Sequence, residues 1–172
     1  MIPVPAIVEH APVGRADFLG AMRQVANPVT VVATDGPAGR HGATVSAFSS
    51  VSADPPTILV CLRADSRIAD LVAANSVFSV HVLSEDDAEV ARIFAGQRDA
   101  SQADRFAVMR KPNEDHPAIP CATTLHCRLS RIHREHSHKI FIGAVVRVDP
   151  CGRRPLIHHD GAFRRLDAET LS

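Results

Sequence analysis

Apolar residues recur at two spacings along the chain, and those spacings divide it into helices and strands. Phe18, Leu19, Met22 and Val25 in "RADFLGAMRQVAN" share a helical face, and Asn27 and Pro28 close the run. "PVTVVAT" predicts a strand, and "DGPAGRHG" predicts a turn dense in glycine and proline. In residues 42–56, "GATVSAFSSVSADPP", small hydroxyl side chains alternate with apolar ones until a double proline, which predicts a second strand. "TILVCLR" predicts a third, apolar enough for the middle of a sheet. Ser66 is placed to N-cap a helix over "RIADLVAAN", with Ile68, Leu71 and Val72 on one face and Asn75 at its end. "VFSVHVL" alternates as a strand. Ser84 and Asp87 have capping-box spacing, with Glu85 and Asp86 at the positive end of a helix that runs towards Gly96. The polar "GQRDASQADR" predicts a mobile surface loop, and "TTLHCRLSRIH", "KIFIGAVVRVD" and "AFRRL" predict further strands.

Most of these strands follow one another without a crossover helix. The expected fold is therefore mainly β (α+β), an antiparallel barrel with helices packed outside. A doubly wound parallel sheet is the weaker option, because no GxGxxG turn joins a strand to a helix. The 172 residues suffice for one domain with a full core. Residues 1–14 read as a flexible arm and residues 15–172 as the domain.

Composition narrows the function classes. Nineteen basic residues balance nineteen acidic ones, so no global field favours a polyanion, and the chain has neither Trp nor Tyr for base stacking. Nucleic acid is excluded as a main partner. The segment "MIPVPAIVEHAPVGRADF" has no long apolar run, which argues against an export signal or a membrane anchor and for a cytoplasmic protein. Cys61, Cys121, Cys127 and Cys151 show no CxxC spacing and read as free, mostly buried thiols in a reducing compartment.

Three candidate chemistries remain. The hydroxyl-rich stretch is either a plain edge strand or a wall kept small to leave room for a ligand. A helix opening at Ser66 offers unpaired N–H groups to an anion, with Arg67 beside it and Arg63 in reach, although solvated arginines near ordinary caps are common. Ten histidines invite a metal reading, since His136 and His138 would share a strand face and the pair His158 and His159 is available. With no HExxH helix and no cysteine ribbon, no metal is expected. Nor is there a Ser-His-Asp or Cys-His constellation.

The pieces "NPVTVVAT", "GATVSAFSSVSADPPTILVCLR", "SRIADLVAANSVFSVHVLSEDDAEVARIFAG", "DRF", "HKIFIGAVV" and "PLIHHDGAFRRL", in this order, resemble the flavin reductase-like family. The resemblance runs from about Phe18 to Leu166. It implies the FMN-binding split barrel, six-stranded in type with peripheral helices, in a homodimer. It also implies hydride transfer from NADH or NADPH to FMN or FAD, with reduced flavin supplied to a partner monooxygenase. Carried over residue by residue, it implies flavin contacts at Ala43, Thr44, Val45, Ser46, Ser49 and Ser50, with Thr30 on the neighbouring strand. The phosphate end falls at Arg63, Ser66 and Arg67, and His138 lies near the nicotinamide. The family's Gly-Asp-His motif is here His136, Ser137 and His138, and the Trp often found ahead of the "CRL" strand is missing. The alternative is a non-catalytic flavin-binding or sensor protein on the same barrel.

Overall fold

The computed structural model describes residues 12–102, 104–108, 119 and 121–166; most of the expected N-terminal arm lies outside them. In chain order the elements are α1 (Arg15–Arg23), β1 (Asn27–Pro28), β2 (Thr30–Thr34), β3 (His41–Val45), β4 (Phe48–Ala53), β5 (Pro56–Arg63), α2 (Arg67–Asn75) and β6 (Val77–Val82). They continue with α3 (Ala88–Phe94), a 3-10 turn (Arg105–Val108), β7 (Thr123–Glu135), β8 (His138–Pro150), β9 (Ile157–His159) and β10 (Ala162–Arg164). Seven strands form one antiparallel sheet in the order β3-β2-β6-β7-β8-β5-β4, and β1, β9 and β10 form a small second sheet.

β2 is buried along its whole length, which is why its sequence is apolar on both faces rather than alternating. Val32 enters the barrel core with Val60, Leu62, Val80 and Phe141, and α2 adds Ile68 and Val72. On the other face, Val31 and Ala33 meet Leu83, Ile93, Phe94 and Leu156 beneath α3. The two threonines of β2 keep their buried hydroxyls paired, Thr30 donating to the Val45 carbonyl and Thr34 to the Val77 carbonyl, each at 2.6 Å.

The stretch expected as one strand is two. The chain bends at Ser46 and Ala47, where the Ser46 carbonyl accepts from Phe48 N at 3.0 Å, so β3 pairs with β2 while β4 pairs with β5. This raises the sheet from the expected six strands to seven. It also makes β3 and β4, the two edges of the sheet, neighbours in sequence. The sheet must curl to let them meet, and Cys61 N donates to the Ala47 carbonyl at 2.9 Å, which carries the β4–β5 pairing up to the bend. β5 is consequently one strand from an edge and not at the centre.

Two helix starts differ from expectation. Ser84 does not cap α3; it bridges to Pro155, its hydroxyl donates to the Asp87 carboxylate, and the helix begins only at Ala88. Glu85 and Asp86 meet Arg154 and Arg165, at 2.7 and 3.0 Å, rather than serving the helix dipole. Ser66 occupies the N-cap position of α2 but makes no side-chain cap. No helix among the described residues is long and apolar enough to cross a membrane.

Candidate functional site

The curl of the sheet leaves a gap between the end of β3 and the end of β5, and α2 starts at its base. A cavity of about 280 Å³ opens there. Ala43, Thr44, Val45, Ser46 and Ala47 form one wall; Cys61, Leu62 and Arg63 form the other, and Ser66, Ile68 and His138 complete the lining. Of the expected flavin contacts, Ala43, Thr44, Val45, Ser46, Arg63 and Ser66 therefore come together here, with His138, the residue expected near the nicotinamide. Thr30 does not line it, being fully buried beneath Val45. Ser49 and Ser50 lie on exposed β4, the Ser49 hydroxyl donating to the Ser50 carbonyl at 3.1 Å. They were displaced because the bend at Ser46 and Ala47 carries everything after it to the opposite edge.

Several side chains have roles that residue type alone does not reveal. Thr44 Oγ1 donates to the Ala91 carbonyl at 2.6 Å, tying the cavity wall to α3. Its one hydroxyl proton is committed, so towards a ligand this oxygen can only accept. Arg63 is forked by Asp65, Nε to Oδ1 at 3.1 Å and a terminal nitrogen to Oδ2 at 2.9 Å. That fork, with the charge of Arg63, holds the Asp65 carboxyl below its ordinary range. Ser66 Oγ donates back to the Arg63 carbonyl at 2.7 Å. Because this hydroxyl turns away from the helix, the backbone N–H groups of Arg67 and Ile68 have no acceptor among the described residues. Such N–H groups, at the positive end of a helix, favour an anion.

Arg67 faces an adjoining cavity of about 440 Å³, lined also by Arg40, His41, Asp99, Asp104, Arg105 and Phe106. Arg105 is forked by Asp99 at 2.9 and 2.6 Å and donates to the Gly42 and Phe94 carbonyls. Arg40 lies over the Phe106 ring, 4.5 Å from its centroid, and reaches Asp104 at 3.9 Å. Arg67 alone among these arginines has no carboxylate within ion-pair distance among the described residues. Burial lowers the His41 pKa, and the charges of Arg105 and Arg67 push it the same way against Asp99. Asp65, His41 and Arg105 were not among the expected site residues. The "RAD" of residues 63–65 was a legible cue for the first; the other two arrive through pairings distant in sequence.

His138 begins β8 directly opposite Arg63 and is exposed, with Nδ1 3.0 Å from the Ser137 hydroxyl. His136, at the glycine position of the family motif, takes a left-handed φ of 48°, so the turn keeps its glycine-like backbone without a glycine. His158 and His159 sit in β9, in the other sheet from this hairpin. Among the described residues no three metal-ligating side chains gather.

Residues 22–167 match the family model for the flavin reductase like domain. The chain belongs to the flavin reductase-like family. It is 33% identical over 157 residues to the FMN reductase (NADH) RutF 1 of Methylorubrum extorquens, covering 90% of this chain and 78% of that protein. Among solved structures it resembles the NADH:FAD oxidoreductase SgcE6 of Streptomyces globisporus, solved with NAD and FAD fragments, at a TM-score of 0.78 and 28% identity over 90% of this chain and 94% of that one. It also resembles BorF, the flavin reductase component of a bacterial two-component tryptophan halogenase, at a TM-score of 0.77 and 30% identity over 91% and 100%.

Proposed function

We propose that the protein is a flavin reductase that passes a hydride from NADH or NADPH to FMN or FAD and supplies the reduced flavin to a partner monooxygenase. The observation that carries this reading is the gap between β3 and β5: a wall of small side chains and strand edge, ending in helix N–H groups and an arginine that have no acceptor or carboxylate partner among the described residues. A planar heterocycle with a phosphate tail fits such a slot at both ends. The small residues Ala43, Ser46 and Ala47 leave volume for the ring, while backbone groups of β3 and the hydroxyl of Ser46 pair its polar edge. The N–H groups of Arg67 and Ile68, with the Arg67 guanidinium, hold the phosphate. His138 lines the same cavity, directly opposite Arg63, and orients the nicotinamide. When bound, the flavin supplies the hydride acceptor, so the chain needs to align and to exclude water rather than to provide a nucleophile.

The proposal extends to a homodimer in the cytoplasm. α1 buries none of its residues, and Phe18, Leu19, Met22 and Val25 leave an apolar face exposed. Val146 and Val148 are exposed as well, at 60% and 51%. A second copy covering these surfaces would remove them from water.

The test is a steady-state assay. Purified protein with FMN should speed the loss of reduced-nicotinamide absorbance on adding NADH, and His138→Ala should lower kcat/KM for NADH while flavin affinity holds. No protein-dependent loss would leave only a flavin-binding protein. An unchanged kcat/KM in His138→Ala would remove that residue from the site.

A further inference from the structure

Away from the flavin cavity, two thiols meet at the open end of the β7–β8 hairpin. Cys121 precedes β7 and Cys151 follows β8; the first strand pair is Thr123 with Pro150, and Cys151 N donates to the Ala122 carbonyl at 2.9 Å. Their sulfur atoms lie 3.8 Å apart, near van der Waals contact. Cys121 is 5% exposed, whereas Cys151 is open to solvent. The other two cysteines are placed differently: Cys61 lines the cavity and Cys127 belongs to the barrel core.

We propose that Cys121 and Cys151 are a redox modification site, closing to an intramolecular disulfide when a peroxide oxidises them. A disulfide needs its sulfurs at about 2.05 Å, and two thiols on adjoining, hydrogen-bonded backbone require only side-chain rotation to approach. Exposure makes Cys151 the thiol that meets the oxidant. Its thiolate attacks one peroxide oxygen, the O–O bond breaks, and the departing oxygen leaves as water once protonated. Cys151 is then a sulfenic acid. The sulfur of Cys121 attacks the sulfur of Cys151; the S–S bond forms, the S–O bond breaks, and the hydroxide leaves as water with the Cys121 proton. In sum, two thiols give up two electrons and two protons, and hydrogen peroxide becomes two waters. Thiol–disulfide exchange reverses the step.

The chemistry of the pair supports this division of labour. Burial pushes the Cys121 thiol up to about 11, so it stays protonated and inert until its neighbour is oxidised. Thr124 Oγ1, 3.2 Å from Cys121 Sγ, holds that sulfur in place. The bond would pin the base of the hairpin whose tip carries His138, fixing the register of β7 on β8. Peroxide is also what reduced flavin yields on meeting oxygen, although the site is defined without reference to flavin turnover.

The experiment uses the full chain, reduced, desalted and exposed to hydrogen peroxide in slight excess. Titratable thiols under denaturing conditions should fall from the four of the sequence to two and return with dithiothreitol. Non-reducing peptide mapping should show the Cys121 peptide joined to the Cys151 peptide. Cys151→Ser, at an exposed site where folding is not at stake, should keep its three remaining thiols at the same dose. In Cys121→Ser, the sulfenic acid of Cys151 should accumulate and react with dimedone. A titre that stays at four, an intermolecular bond through Cys151, or further oxidation of Cys151 while Cys121 remains free would each overturn the proposal.

Discussion

Replacing Arg67 with alanine separates the phosphate end of the cavity from its ring end. The variant removes one guanidinium with no carboxylate partner among the described residues, while the backbone N–H groups of α2 remain. A hydrogen bond to a charged group contributes about 1.5–3 kcal/mol. Arg67 is exposed, so the lower end applies: about 1.5 kcal/mol, or roughly tenfold in affinity for FMN. The loss should shrink as salt is raised, because screening acts within about 10 Å at 0.1 M. Riboflavin, which has the ring without the phosphate, should bind both proteins alike. Arg63→Ala is the internal control. Its guanidinium is already forked by Asp65, so removing it should weaken FMN less than Arg67→Ala does. Quenching of flavin fluorescence, titrated for FMN and riboflavin at two ionic strengths, reads all of this. Equal losses for the two flavins, or a loss insensitive to salt, would refute the assignment of the phosphate to α2.

Other consequences can be measured directly. Burial, with a further push from His126 and opposition from Asp149, lowers His81 from 6.5 to about 4, so the unfolded chain binds a proton that the folded one refuses. Stability present above pH 6.5 should fall as pH drops towards 4, by up to about 3 kcal/mol. Denaturant midpoints at neutral and acid pH, compared with His81→Asn, check it, and an identical pH profile in the variant counts against it. Gly42→Ala would set a Cβ 2.6 and 2.9 Å from two carbons of the Phe94 ring, which is 1% exposed and has no room to yield. Overpacking of this kind costs about 1–3 kcal/mol, so the Tm should drop by several degrees, and an unchanged Tm would contradict the packing. Phe18→Asp, on the exposed face of α1, should give a monomer by light scattering where the parent is a dimer; a parent that is already monomeric ends the dimer proposal.

How far the fold was legible depended on how local its cause was. β2 and the strands "TTLHCRLSRIH" and "KIFIGAVVRVD" were visible because side-chain patterning and strand pairing agree over many residues. The break at Ser46 and Ala47 was not visible, since neither residue is a glycine or proline and the bend is set by pairing with two different partner strands. β1 and β9 were missed for the same reason: two- and three-residue strands are defined by each other, not by their own composition. At the site, the position of Ser66 ahead of α2 was readable but the direction of its hydroxyl was not, because a carbonyl three residues earlier competes for it. Thr44 shows the same limit. Its hydroxyl suggested a ligand contact, and the acceptor it found lies 47 residues away, on α3.

The curled sheet has a consequence for handling the protein. An open edge strand is a template for any other strand, and proteins usually blunt such edges with charge, a bulge or a covering element. Among the described residues β3 pairs with β2 alone, and along Ala43, Thr44 and Val45 it forms the wall of the cavity with uncharged side chains. The backbone groups offered to a flavin are therefore equally offered to the edge of a neighbouring molecule. A bound flavin acts as a cap on that edge, so protein stripped of flavin should aggregate sooner on concentration than protein kept saturated with it.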